Sequence, residues 1–211
     1  MPATLKSSLK SKASGTTEKG LERAQDILSA ARHIFASEGY AGLSMRRVAA
    51  EVGMSLSNVQ HYYKSKDVLV EALLLYTMNM FQEKIDGIAA SMGDAPRRER
   101  FLSTIDMFME ELGDPVTHAI FFEIWALATR NAFASALMDK MLARERKTIF
   151  KLIHGLAPGL SDEQTMERAV LIVAQIEGLM LFRFGRNARR AEVAAIRAAV
   201  RKAVLDLATA P

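Results

Sequence analysis

The sequence predicts an all-α protein, because apolar residues recur at helical spacing along most of the chain and no stretch alternates as a strand would. Half of the 211 residues are apolar and five are proline, a composition typical of a folded, largely helical globule. A chain of this length can bury a sizeable core in one domain or in two. The place of each helix then follows from its apolar spacing and its end signals.

The first two helices have clear boundaries. Apolar residues three and four apart between Leu21 and Phe35 indicate the first helix, and Gly39 is a signal for its end. Ser44 stands as an N-cap before a second, shorter amphipathic helix. Gly53 is expected to break that helix, because glycine tolerates the backbone conformation of a tight turn.

The remaining helices follow in order. Ser55 can cap a third helix that runs to about Tyr62, and Ser65 with Asp67 opens a fourth that continues to about Met92. Glycine and proline at 93–96, 113–115 and 155–161 mark breaks. Further helices are therefore expected near 97–112, 116–131, 134–154, 162–185 and 190–208.

Composition narrows the classes of function. Because the chain has no cysteine, disulfides, a thiol nucleophile and cysteine-ligated metals are excluded. Residues 1–17 lack the apolar core of a secretory signal, and no stretch approaches the ~18 apolar residues of a membrane span, so a cytoplasmic protein without a membrane partner is expected. No nucleophile and base pair, phosphate-binding glycine loop or HExxH motif is present. We therefore expect a protein that is not an enzyme and binds no cofactor.

A metal site is not expected either. His118 follows Asp114 by four residues and the two could form a metal pair, but no third ligand is evident. The arginines near 97–100 and 186–190 are explained most simply as solvated helix ends.

Basic residues are concentrated at the N-terminal end. Residues 1–66 hold ten Lys and Arg against five Asp and Glu, a net charge of +5, whereas the whole chain carries +4. A basic end on a nearly neutral remainder suggests that the first third meets a polyanion. The alternative is a solvated basic surface with no partner.

The second and third helices together are typical of a helix-turn-helix. Ala49, Gly53 and Val59 supply the small residue, the turn glycine and the apolar anchor that this motif needs. With Val59 turned inward, the outward face carries groups suited to base edges, since Gln and Asn can bond adenine and Leu can meet a thymine methyl. These residues are Leu56, Ser57, Asn58, Gln60 and His61. The alternative is an ordinary pair of helices with a polar outer face.

Phosphate contacts are expected beside this face. Lys64, Lys66 and the hydroxyls of Tyr62 and Tyr63 lie where they could position the protein on DNA without reading its sequence. From these residues we predict a flexible basic arm at 1–17 and a DNA-binding domain at 18–66. Residues 67–211 are then expected to form a second, helical domain with a different task.

From Ala24 to about Leu74 the chain resembles the DNA-binding domain of the tetracycline-repressor (TetR) family of bacterial regulators. The resemblance rests on Gly39-Tyr40, Ser44, Val48-Ala49, Gly53-Met54-Ser55 and the run from Lys64 to Leu69. It implies DNA contacts by Ser44, Leu56, Ser57, Asn58, Gln60, His61, Tyr62 and Lys66. Ser57 replaces a frequent Gly or Pro, Gln60 a frequent Tyr, and Tyr63 a frequent Phe, so the operator of another member cannot be assumed.

In this family the C-terminal domain usually dimerises and holds a small-molecule pocket, so the resemblance implies that residues 67–211 form a helical effector-binding and dimerisation domain. The segment Phe121–Leu127 is similar to choline-regulator-like members, and aromatic and thioether side chains are dense in the middle helices. Candidate pocket residues are Met78, Phe81, Phe108, Phe121, Phe122, Trp125 and Glu177. The apolar members could equally be core. Glu177 could contact a cationic or hydroxylated ligand, or it could form a salt bridge to Arg130, Arg183 or another helix. The expected effector is small and largely apolar.

A stripe on the helix that contains Glu177 predicts the dimer interface. Leu171, Gly178 and Gly185 recur every seven residues, with Gln175 and Phe182 alongside. Glycine within a helix is unfavourable, so its use suggests close approach of another helix. We therefore predict a homodimeric repressor that binds a palindromic double-stranded DNA operator and is released by a small effector. The alternatives are a helix-turn-helix protein without an effector, or an enzyme.

Overall fold

The structure, a computed structural model, describes residues 18–111, 113–182 and 190–210. Every regular element in these ranges is helical, so the predicted all-α class is confirmed. The helices are α1 Glu18–Gly42, α2 Met45–Glu51, α3 Leu56–Tyr62, α4 Lys66–Ser91, α5 Arg97–Glu111, α6 Pro115–Ala128, α7 Ala132–Ile153, α8 Asp162–Leu179 and α9 Arg190–Thr209, and a 3₁₀ turn at Met180–Phe182 follows α8. In these stretches no helix is both long and apolar enough to cross a membrane.

The chain forms two compact units. The first extends to Glu83 and includes Ala119–Leu137, and the second comprises Lys84–His118 and the residues from Met138 onward. Contacts therefore group the chain differently from the predicted boundary between residues 66 and 67. That boundary concerns function and stays a prediction, and each unit is described by itself.

Serine caps fix the starts of α2 and α3. The Ser44 hydroxyl accepts the Arg47 N–H at 3.2 Å, and the Ser55 hydroxyl accepts the Asn58 N–H at 3.2 Å. Gly53, between the two helices, has a φ of 63°, which glycine adopts at no steric cost. The predicted start of both helices and the predicted break between them are confirmed.

Helix α1 contains a break at the predicted position. Gly39 has φ 69° and ψ −174°, so the helical path is interrupted there, and one further turn continues to Gly42. On its inner face Ile27 and Phe35 are fully buried, as are Val48 of α2 and Val59 of α3. These contacts form the core of the helix-turn-helix.

The core of the second unit lies among α5, α7, α8 and α9. Its fully or almost fully buried members include Phe101, Ile105, Ile149, Ile172 and Val204. Arg201 of α9 forms an ion pair with Asp106 of α5 at the edge of this core. Buried apolar residues recur at helical spacing on all four helices, and this pattern is what predicted each of them from the sequence.

Helix α8 is shorter than predicted. It ends at Leu179 instead of about residue 185, because the Met180 N–H turns to the carbonyls of Glu177 and Gly178 and a 3₁₀ turn follows. Tightening into a 3₁₀ turn is common at helix ends, and Gly178 weakens the last α-helical turn. Phe182 therefore does not continue the α-helical stripe of Leu171 and Gly178, and Gly185 lies outside the described residues.

Candidate functional site

The outward face of α3 is polar and accessible. Val59 has no exposed surface, and this fixes the rotation of the helix. Ser57, Asn58, Gln60 and His61 are consequently exposed, whereas Leu56 is half-buried. Ser57 lies 3.0 Å from the Ser55 hydroxyl, and the His61 ring meets Tyr62 edge to face at 5.6 Å. The helix presents the predicted donors and acceptors outward.

An open cleft of about 540 Å³ lies beside this face. One wall is formed by Asn58, His61 and Tyr62 of α3, and the other includes Lys19 and Arg23 of α1. Both cations belong to the basic end of the sequence, but they are not among the predicted site residues. Their spacing of four residues, which places both on one exposed helix face, was the signal available.

Tyr63 does not face the surface, so the predicted phosphate contact by its hydroxyl is wrong. Its side chain is 4% exposed, and the hydroxyl donates to the Ala24 carbonyl of α1 at 3.2 Å. The backbone at Tyr63 is extended, with φ −132° and ψ 106°, which turns this side chain inward immediately after α3. Burial raises the pKa of the phenol above its ordinary value.

Lys66, at the start of α4, is held by a residue that is not among the predicted site residues. Its Nζ lies 3.8 Å from the centre of the Tyr40 ring, a cation–π contact. The Tyr40 hydroxyl donates to Asp67 Oδ1 at 2.5 Å. This hydrogen bond, together with burial and the Asp67 charge, raises the pKa of Tyr40 to about 12. Burial lowers the pKa of Lys66, and the Asp67 charge opposes that effect.

Tyr40 is itself held through its backbone. Glu123 of α6 accepts the Tyr40 N–H at 2.7 Å through Oε1. The carboxylate also lies against Gly39, where an added Cβ would be 2.7 Å from the same oxygen. Lys66 therefore contacts a residue, Tyr40, whose backbone is held by a side chain far away in the sequence.

The predicted pocket residues divide between the two units. The first unit contains Met78, Phe81, Phe121, Phe122 and Trp125. Phe81 stacks on Phe121 with ring centres 6.1 Å apart, and both are almost fully buried, as is Met78. Phe122 and Trp125 lie 6.5 Å apart and are partly exposed. The assignment of these five residues to a pocket stays a prediction.

In the second unit Phe108 packs against the core, and Glu177 is paired with a second acid. Burial raises the pKa of Glu145 well above its ordinary value, and the charge of Glu177 and a hydrogen bond between the two carboxyls add to this. Burial also raises the pKa of Glu177, and that hydrogen bond opposes the shift. A hydrogen bond between two carboxyls requires one of them to be protonated, and the stronger upward shift of its pKa makes Glu145 the donor to the Glu177 carboxylate. Among the described residues, Glu177 Oε2 is buried with no hydrogen-bond partner.

This pair predicts stability that falls as pH rises. Because the folded-state pKa values are raised, the protonated pair contributes fully below the ordinary carboxyl pKa range, and the contribution is lost as pH rises through the raised values. Glu145→Gln keeps a neutral donor at every pH. At pH 8 we therefore expect its melting temperature to exceed that of the wild type, by ~2–4 °C for each kcal/mol gained in the free energy of unfolding. The difference should shrink towards pH 5. Glu167→Gln, at an exposed site on α8, is the control, and an equal response of both variants would contradict the assignment.

The suggested metal pair is engaged elsewhere. His118 Nε2 lies 2.9 Å from the Met180 carbonyl, and Asp114 Oδ2 accepts both the N–H and the hydroxyl of Thr117. No cluster of three or more His, Asp or Glu suited to a metal occurs in the described ranges.

The predicted dimer stripe lies on the outer face of α8. Leu171 is 52% exposed, Gln175 is exposed, and a Cβ added to Gly178 would meet no atom within 4 Å. Met166, Val170 and Leu181 are further large apolar side chains exposed on α8 or the turn after it. The stripe does not pack inside its own unit, and its role in a dimer stays a prediction.

An all-α chain with a capped helix-turn-helix and an exposed polar α3 defines the class of helix-turn-helix transcriptional regulators. Residues 27–73 match the family described as bacterial regulatory proteins, tetR family, and residues 97–209 match the BetI-type transcriptional repressor C-terminal domain. The chain belongs to the TetR family of regulators.

Similarity extends over most of the chain. A helix-turn-helix transcriptional regulator from the dhlA 5′ region of Xanthobacter autotrophicus is 32% identical over 161 residues, which cover 74% of this chain and 77% of the relative. The crystal structure of a transcriptional regulator from Pseudomonas aeruginosa PAO1 has a TM-score of 0.71 at 22% identity and covers 87% of this chain and 90% of its own. The structure of a regulator from Saccharomonospora viridis in complex with choline has a TM-score of 0.66 at 21% identity. The match covers 86% of this chain and 94% of that regulator.

Proposed function

We propose that this protein is a ligand-responsive repressor that binds a palindromic operator as a homodimer and is released by a small effector. The exposed polar face of α3 carries the DNA-binding part of the proposal. Gln60 and Asn58 are assigned to base edges, because their amides can bond adenine at two atoms. Leu56, Ser57 and His61 complete the reading face.

Phosphate contacts are assigned to the residues around α3. Ser44, Tyr62, Lys64 and Lys66 lie on or beside the helix-turn-helix, and Lys19 and Arg23 add two cations across the cleft from α3. These contacts position the protein but carry little sequence information, so their loss should weaken binding to all DNA about equally.

The exposed stripe of α8 supports a homodimer. Leu171, at 52% exposure, and its exposed apolar neighbours gain most if a second copy covers them. A two-fold dimer requires equivalent α3 helices to reach successive major grooves, with half-site centres ~34–36 Å apart. The operator should therefore be palindromic.

The effector is proposed to be a small organic cation with a largely apolar body. The Glu177 carboxylate offers negative charge within the second unit, because its Oε2 is buried and has no hydrogen-bond partner among the described residues. The choline complex of the Saccharomonospora viridis regulator makes choline the first probe to use. Ligand binding would shift the population towards a spacing of the α3 helices that no longer fits DNA.

One experiment tests the whole proposal. Selection from random duplex DNA should return a palindrome, and binding to that DNA should weaken when choline is added. Its uncharged isostere 3,3-dimethylbutan-1-ol is the matched control and should be inactive. An equal effect of both compounds would contradict recognition of charge, and failure to select any motif would favour a DNA-binding protein without sequence readout.

Gln60 provides a test of base readout. Because its amide is exposed on the reading face, Gln60→Ala should cost ~1–3 kcal/mol on the selected operator and relax preference at one base position per half-site. Repeating the selection with the variant measures this directly. The same motif at unchanged stringency would remove Gln60 from the reading face.

A further inference from the structure

We propose that Glu123 and Tyr40 are positioning residues for DNA binding, which hold the Lys66 ammonium group in the place where it meets a DNA phosphate. This inference rests on the proposed function, since it concerns the same DNA interface. It assigns roles to two residues outside the recognition helix, one of them on the helix that carries three of the predicted pocket residues.

The first step is the contact between Lys66 and Tyr40. A lysine ammonium ends a flexible four-carbon stem, so it must usually be ordered when it binds DNA. Here Nζ lies 3.8 Å from the centre of the Tyr40 ring, and the lysine side chain is half-buried. The ring face attracts the cation and fixes its position before DNA arrives.

The second step concerns Asp67, the nearest competing partner. A free carboxylate next to Lys66 would attract the ammonium and repel the phosphate. The Tyr40 hydroxyl donates to Asp67 Oδ1 at 2.5 Å and so holds this carboxylate in a defined place. Tyr40 thus contacts both residues through different parts of one side chain, with the ring on Lys66 and the hydroxyl on Asp67.

The third step explains what orients Tyr40. The helix is broken at Gly39, so the Tyr40 N–H lacks the ordinary carbonyl partner of a helix interior. Glu123 Oε1 replaces that partner at 2.7 Å. The close approach requires glycine at 39, because a Cβ there would be 2.7–2.9 Å from three atoms of the carboxylate.

These contacts form a continuous connection within the first unit, from Glu123 to the Tyr40 backbone, from the Tyr40 side chain to Lys66, and from Lys66 to DNA. Phe121, Phe122 and Trp125 lie within two residues of Glu123 on α6. A displacement of this part of α6 would therefore alter a phosphate contact without any change in α3. Regulation could act on affinity for DNA as well as on the spacing of the two α3 helices.

A double-mutant cycle tests the connection. Binding to a 30-base-pair duplex of random sequence is measured by fluorescence anisotropy at several salt concentrations. The proteins are the wild type, Glu123→Ala, Lys66→Ala and the double variant. Lys66→Ala should flatten the slope of log K against log salt by ~1 unit for each bound subunit, because one phosphate contact is lost from each.

Glu123→Ala should weaken binding roughly three- to tenfold when Lys66 is present and have almost no effect when Lys66 is already replaced. Glu123→Gln keeps an acceptor for the Tyr40 N–H and should bind as the wild type does. The same loss in both Lys66 backgrounds would overturn the inference, because Glu123 would then act through the fold alone. Unchanged binding by Glu123→Ala would also overturn it.

A second pair of variants guards against misfolding of Glu123→Ala. Tyr40→Phe keeps the ring under Lys66 but loses the hydrogen bond to Asp67, so it should flatten the salt slope less than Tyr40→Leu, which loses both contacts. Equal slopes for the two variants would contradict the role of the ring. If the wild type itself binds the duplex without salt dependence, the proposed function fails, and this outcome is distinct from failure of the cycle in a protein that binds DNA.

Discussion

Gly178→Leu is expected to give a folded, largely monomeric protein that binds its operator at least ~100-fold more weakly than the wild type. The loss is large because each subunit would bind its half-site alone, without the gain that comes from linking two sites. Within one subunit the new side chain has room, since a Cβ at Gly178 would meet no atom within 4 Å. Leucine is also a better helix former than glycine by ~1 kcal/mol.

Gly87→Leu is a matched control for this prediction. Gly87 also lies within a helix, α4, and a Cβ added there meets no atom within 4 Å. This variant should remain dimeric and bind the operator normally. Sedimentation velocity and circular dichroism on both variants decide the matter, and a Gly178→Leu protein that stays dimeric with normal operator binding would place the interface elsewhere.

Gly39→Ala is expected to lower the melting temperature by ~5–10 °C. The backbone there, φ 69° and ψ −174°, lies in a region that is almost restricted to glycine and costs ~1–3 kcal/mol for other residues. The added Cβ would also come within 2.7 Å of Glu123 Oε1, so the carboxylate would have to move from the Tyr40 N–H. About 1 kcal/mol corresponds to ~2–4 °C in a chain of this size.

Gly53→Ala separates the effect of backbone strain from the effect of the clash with Glu123. Gly53 also has a positive φ, 63°, but a Cβ added there would meet no atom within 4 Å, so only backbone strain of ~1–2 kcal/mol applies. Its melting temperature should fall by less than that of Gly39→Ala. Adding Glu123→Ala to Gly39→Ala should recover part of the loss, and equal losses at both glycines would show that the carboxylate contributes nothing.

Local signals in the sequence predicted much of the DNA-binding region. Ser44 and Ser55 are recognisable as caps because the groups they bond lie three residues away. Val59 fixes the rotation of α3 because the apolar anchor of a short polar helix must face the core. The exposed face could therefore be derived from spacing alone.

Contacts between distant segments could not be predicted in the same way. Glu123 and Tyr40 are 83 positions apart, and nothing near either residue indicates the other. Tyr62 and Tyr63 are adjacent and chemically alike, yet the extended backbone at Tyr63 sends only the second inward. Glu177 was evident as an acid on an apolar face, but its partner Glu145 lies on a different helix, α7. Tertiary packing decides such cases.

The serine caps of α2 and α3 have an electrostatic consequence. Neither helix has an acidic residue in its first turn, although carboxylates there stabilise a helix through its dipole by ~0.3–1 kcal/mol each. Helix α8, which also begins with a serine cap, does use them, in Asp162 and Glu163. Aspartate would cap α2 and α3 as well as serine does, but it would bring negative charge to the surface assigned to DNA. A neutral cap provides the hydrogen bond that starts each helix and adds no negative charge to that surface.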